Sequence, residues 1–90
     1  MLYEVIVSDD AKNDIKKLKM AGKKIIVDKI YDLIDELKEH PKIGTGKPEF
    51  LKHKKYWSRR INKKHRLCYE IYDDIVIVLV LSAFGHYDDE

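Results

Sequence analysis

HRLCYEIYDDIVIVLVLSAF, residues 65–84, reads as two strands folded back on one another. Residues 65–72 form the first, Asp73-Asp74 make the turn, and Ile75 to Phe84 form the second. That last run is apolar on both faces, the pattern of a central strand covered on both sides. Working backward, residues 56–62 and 49–53 read as two further strands, after a loop punctuated by Gly44, Gly46 and Pro48. Ahead of the loop, Ile26, Ile30, Leu33, Ile34 and Leu37 recur at helical spacing, in a helix that starts near Lys23 or Lys24 and is ended by Pro41. Ala11, Ile15 and Leu18 mark an earlier helix, capped by Ser8 with Asp9 and Asp10 in its first turn and stopped at Gly22. Leu2 to Val7 is a first strand. The order β-α-α-β-β-β-β predicts an α+β fold: a small twisted antiparallel sheet with a two-helix hairpin packed on one face.

Ninety residues predict one domain, residues 1–90, able to bury a modest core without disulfides. The lone cysteine, Cys68, cannot form an internal disulfide and belongs to no CxxC pair, which fits a reducing, cytoplasmic compartment. MLYEVIVSDD lacks the features of a signal peptide, and the Ile75 to Phe84 run is about half the length of a membrane helix. Residues 42–66 hold ten Lys or Arg against the single acid Glu49, whereas the whole chain is only +2. Such a concentration of charge is costly in self-repulsion unless a polyanion relieves it.

Strand alternation sorts the basic segment. Trp57, Arg59 and Ile61 share one face, and Tyr56, Ser58, Arg60 and Asn62 the other. A three-residue turn at 62–64 would set Arg60 opposite Arg66, two like charges that an anion such as phosphate would reconcile. Phe50, Tyr56 and Trp57 interleave the patch, and basic charge beside aromatic faces is how single-stranded nucleic acid is commonly held. The plainer reading makes the lysines a solvated face, Trp57 core, and Glu49 a neutralising ion-pair partner. None of the four histidines (His40, His53, His65, His86) has zinc-ligand spacing, so no metal or other cofactor is expected. His86 follows Gly85 at the exit of the last strand, beside Tyr87.

GKPEFLKH, WSRRI, HRLCYEI and the terminal HY, in this order, resemble the YoeB/Txe branch of the RelE/ParE superfamily, bacterial type II toxins that cleave mRNA on the ribosome. The likeness runs from the first strand to Tyr87. It implies a small antiparallel sheet with two N-terminal helices, cytoplasmic action without a metal, a cognate antitoxin protein as partner, and mRNA in the 70S A site as substrate. Some relatives form homodimers. Carried over motif by motif, the resemblance makes Glu49, Arg66 and His86 the catalytic set. Lys52, Arg60 and Tyr87 fall on its substrate-binding positions, and the aromatic-basic reading adds Trp57. Two departures stand out. Only Lys54-Lys55-Tyr56 separates His53 from Trp57, where the family has a longer loop, and Asp88-Asp89-Glu90 follow the HY pair as an acidic extension.

These residue types suit RNA cleavage. The RNA supplies its own nucleophile, the 2′-OH. A base must take its proton, positive charge must stabilise the crowded phosphate, and an acid must protonate the departing 5′-oxygen. Glu49, the two arginines and His86 can fill those roles, since an imidazole exchanges protons near neutrality. Two other functions compete. A ParE-like relative would poison gyrase without this catalytic set, and a non-catalytic RNA- or ribosome-binding module would use the basic patch alone.

Overall fold

The computed structural model describes residues 2–83. Local chemistry fixes the helix ends. Ser8 caps α1 (Asp9–Met20), its hydroxyl accepting from the Ala11 N–H at 3.1 Å. At the other end Gly22, at φ +75°, closes a left-handed cap in which the Gly22 and Lys23 amides donate to the Lys19 and Leu18 carbonyls, each at 3.0 Å. Helix α2 (Lys24–Leu37) buries Val27, Ile30, Leu33, Ile34 and Leu37. It stops four residues short of Pro41. Its last turn tightens, with the Lys38 and Glu39 amides donating to the Asp35 and Glu36 carbonyls.

Among the described residues, five strands follow the predicted order: β1 (Glu4–Val7), β2 (Glu49–Leu51), β3 (Tyr56–Arg60), β4 (Arg66–Tyr72) and β5 (Ile77–Ser82). They form one sheet in the order β1-β5-β4-β3-β2. The expected antiparallel character holds for three ladders, but β1 runs parallel to β5, so the sheet is mixed. Tight turns force neighbours β2 to β5 to alternate; β1 is joined to the rest through two helices, so no turn sets its direction.

Both helices lie on one face. Leu67, Tyr69, Val78, Val80 and Ile61 meet Ala11, Ile15, Leu18 and the α2 stripe in one buried cluster. Strand β5 is internal, as expected, but the helices do not cover both its faces. Val78 and Val80 are fully buried beneath them, whereas Ile77 and Leu79 on the other face are half-buried.

A bulge in β5 changes its phase. Tyr69 lies opposite Val80 and Cys68 opposite Ser82, so Leu81 is an extra residue. Ser8 donates its hydroxyl to the Leu81 carbonyl at 3.0 Å, supplying a partner at the interrupted ladder. The shift keeps Ala83 in the core and brings Ser82 onto the face away from the helices.

The connection from α2 to β2 wraps around Arg59, which is fully buried. All five guanidinium hydrogens are used. Nε donates to Tyr69 Oη at 3.0 Å, Nη1 to Glu36 and to the Thr45 carbonyl, and Nη2 to the His40 carbonyl and, at 2.7 Å, to the Ile43 carbonyl. Tyr69 Oη in turn donates to the Pro41 carbonyl at 2.8 Å. Burial pushes the Tyr69 phenol above its ordinary pKa, so it stays neutral and bridges the two groups. Glu36 also accepts from the Thr45 amide and hydroxyl. Partial burial raises its proton affinity, but these bonds and the guanidinium outweigh it and hold the carboxyl below its ordinary value of 4.5. Gly46 then runs hard against β3. Its carbonyl accepts from the Arg60 amide at 2.7 Å, and a Cβ there would sit 2.6 Å from the Arg60 carbonyl.

Two measurements check this network. Arg59→Met strands Glu36 and several carbonyls and is expected to cost about 3–5 kcal/mol in urea unfolding, while Arg60→Met one residue on, at an exposed position, changes stability by about 0.5 kcal/mol or less. Equal losses would contradict the assignment. Glu36 releases its proton more readily folded than unfolded, so its stabilisation is complete above about pH 4.5 and is lost as pH falls through the lower folded value. The deficit of Glu36→Gln relative to the unaltered protein in thermal melts should therefore be large at pH 7 and shrink on acidification. A deficit independent of pH would show that charge is not its source.

Candidate functional site

The sheet face away from the helices carries the site. The β2–β3 register sets Glu49 opposite Ser58, the β3–β4 register sets Ser58 opposite Cys68, and the bulge sets Cys68 opposite Ser82. Residues opposite one another share a face. Four strands thus contribute a transverse row: an acid at the rim, then three small side chains as a floor. Beside this row Arg60 lies opposite Arg66. The turn between them matches the sequence reading. The Ile61 amide donates to the His65 carbonyl at 2.9 Å, and Asn62 Oδ1 accepts from the Lys64 and His65 amides, both at 2.8 Å.

Arg66 and Glu49 approach over Ser58. Arg66 Nη1 donates to Ser58 Oγ at 3.0 Å and stands 3.9 Å from Glu49 Oε1. Ser58 is fully buried, the Arg66 side chain is 19% exposed and that of Glu49 is 58% exposed. The longer contact is an ion pair without a hydrogen bond. With one partner in water it contributes little to stability. The carboxylate is therefore placed by its strand and left accessible, while the guanidinium is steadied by a buried hydroxyl. That is an arrangement able to accept a proton on one side and hold an anion on the other.

The other sequence candidates are distributed as follows. Arg60 is exposed beside Arg66. Lys52 opens the exposed turn between β2 and β3, three residues beyond Glu49, and makes no ion pair among the described residues. Trp57 projects to the opposite face, stacked on Tyr69 (centroids 6.5 Å apart, 18° between planes), so it does not join Glu49 and Arg66. His86 and Tyr87 lie outside the described residues. Among the described residues no group of three or more His, Cys, Asp or Glu side chains could hold a metal ion, and no helix is long and apolar enough to cross a membrane.

Two residues of the site and its support went unsingled by sequence. Ser58 was placed on the same face as Arg60, but its bond to Arg66 depends on the cross-strand register. Arg59 was counted with the surface charge, although its place between Trp57 and Ile61 on the core face was the available signal.

Comparison with known proteins adds a family. Residues 7–87 match the YoeB-like toxin of bacterial type II toxin-antitoxin systems. Toxin YoeB of Escherichia coli K12 is 47% identical over 57 residues, spanning 61% of this chain and 68% of that protein. Among solved structures, a YoeB/ParE toxin from Agrobacterium tumefaciens superposes with a TM-score of 0.84 at 32% identity, covering 93% of this chain and 99% of that one. The YoeB dimer from Staphylococcus aureus gives 0.81 at 33% identity, covering 97% and 100%. A Staphylococcus aureus heterotetrameric YoeB-YefM toxin-antitoxin complex gives 0.77 at 33% identity, also covering 97% and 100%. The match along residues 7–87 and the superposition on solved toxins agree, and the chain belongs to the YoeB-like toxins of bacterial type II toxin-antitoxin systems.

Proposed function

We propose that the protein is a ribosome-dependent endoribonuclease that cuts mRNA in the A site without a metal ion. The observation that carries this reading is the approach of Arg66 and Glu49 over the Ser58 hydroxyl, with Arg60 directly across from Arg66. Glu49 takes the proton of the 2′-OH. The 2′-oxygen attacks the adjacent phosphorus, and Arg66 and Arg60 hold the non-bridging oxygens, where charge grows. His86 gives a proton to the departing 5′-oxygen. The upstream fragment then ends in a 2′,3′-cyclic phosphate and the downstream one in a 5′-hydroxyl. Lys52 adds positive charge at the rim of the site, and Tyr87 orients the phosphate or stacks on a base.

General acid–base partners each contribute about 10²–10⁴-fold, so a site built on them needs its substrate presented in register. A message held on the ribosome meets that need, and the protein acts in the cytoplasm where ribosomes translate. An antitoxin is its other partner: the relative from Staphylococcus aureus forms a complex with YefM, and a surface this basic suits an acidic segment that folds on binding. Homodimerisation is the corresponding proposal from the dimeric relative.

Arg66→Ala and His86→Gln are expected to keep the circular dichroism of the unaltered protein while losing growth arrest and message cleavage. Glu49→Gln should slow cleavage by about 10²–10⁴-fold. Full toxicity in the first two variants would overturn the assignment. The fragments should carry cyclic phosphate and 5′-hydroxyl ends. Fragments with 5′-phosphate ends would replace this mechanism with metal-assisted hydrolysis.

A further inference from the structure

A row of rings crosses the helix-side face. Phe50 lies opposite Trp57, and Trp57 opposite Tyr69. Phe50 meets Trp57 edge-on, with centroids 5.9 Å apart and planes at 60°. The row emerges from the core as it runs outward: Tyr69 is fully buried, Trp57 is half-buried and Phe50 is 47% exposed. At the strand ends beside this row is a cleft of about 160 Å³ whose lining includes Phe50, Lys55, Tyr56, Trp57, Glu70 and Tyr72. Its one carboxylate, Glu70, accepts from the Tyr72 hydroxyl at 2.6 Å. The turn above the cleft carries Lys52, Lys54 and Lys55, all exposed and without an ion pair among the described residues.

Aromatic faces beside unneutralised lysines favour one class of occupant. Nucleobases stack on such rings, and their phosphates relieve the lysine charge. A second copy docked by a two-fold axis would set this lysine turn against its like. The cleft opens at the strand ends, with its Phe50 and Trp57 rings on the helix side and Tyr56 on the face of Ser58, about 7 Å along β3; a strand leaving the site round the short edge strand β2 therefore reaches it. We infer that the Phe50–Trp57 cleft and its lysine turn bind single-stranded RNA beside the Glu49–Arg66 site, gripping a neighbouring nucleotide of the same strand. This rests on RNA being the substrate class proposed above, but not on its being cut.

The test uses the intact protein and a short 2′-O-methyl oligouridine, which lacks the nucleophile and survives intact. Trp57 is the only tryptophan in the chain, so its emission reports on the cleft. The oligomer is expected to quench that emission to saturation. Phe50→Ala should weaken binding about tenfold, and Phe50→Tyr, which keeps the ring, should restore it. Lys54→Glu combined with Lys55→Glu should weaken binding and flatten the dependence of log affinity on log salt by about 1.4, the release expected for two phosphates. Affinity unchanged in both the Phe50→Ala and the double-lysine variants would overturn the inference. So would quenching that disappears in Arg66→Ala but persists in Phe50→Ala, or quenching that follows protein concentration, or an added acidic peptide, without RNA. A protein that binds the oligomer as expected but leaves ordinary messages uncut overturns the cleavage proposal and upholds this contact. A protein that cuts messages while Phe50→Ala binds like the unaltered chain overturns this contact alone.

Discussion

The buried guanidinium of Arg59 is the constraint around which the rest is arranged. A charge removed from water must find partners for every donor it carries, or the fold loses several kcal/mol. Arg59 finds them on three different pieces of chain: the Glu36 carboxylate on α2, the Tyr69 hydroxyl on β4, and the carbonyls of His40, Ile43 and Thr45 in the connection to β2. Such a buried ion pair is weak evidence for net stability, since apolar packing can do as well. What it supplies is position. The connection cannot slide without stranding a donor, and Gly46 converts that fixed path into close pairing with β3. Glu49 then falls opposite Ser58.

That chain of contacts divides the two adjacent arginines of WSRRI between opposite tasks. Arg59 points into the core and is neutralised by Glu36; Arg60 points out, beside Arg66. Lys42, at the start of the basic segment, is engaged as well. It donates to Asp73 at 3.0 Å, and Asp73 also accepts from the Tyr3 hydroxyl at 2.6 Å. Those two bonds, the tyrosine's first, hold the Asp73 carboxyl below its ordinary range. The surface available to a polyanion is therefore smaller than the charge count of residues 42–66 suggests. It is also more sharply defined, with arginines on the open face and lysines on the turns.

Along most of the chain the local rules agree with one another. Ser8 and Gly22 bounded the first helix, the apolar stripe marked the second, and the two-residue acidic turn at Asp73-Asp74 separated the last two strands. The Arg60–Arg66 pairing followed from a turn length alone, and the structure has it. The sheet's one parallel ladder was not legible, because no hairpin sets the direction of β1. Nor was the bulge at Leu81, which shifts the phase of β5 through a long-range bond from Ser8. Trp57 was grouped with the site by composition, and the pleat puts it on the far face.

The amino-acid sequence by itself determined the order of the elements, the concentration of cations in one segment and the family motifs, because each depends only on neighbours along the chain. Tertiary structure alone decided which arginine is structural and which is displayed, that a buried serine steadies Arg66, and that the lone acid of the basic segment stands at the rim of an open face. Those outcomes depend on register between strands far apart in sequence, and one step of register moves every side chain to the other side of the sheet.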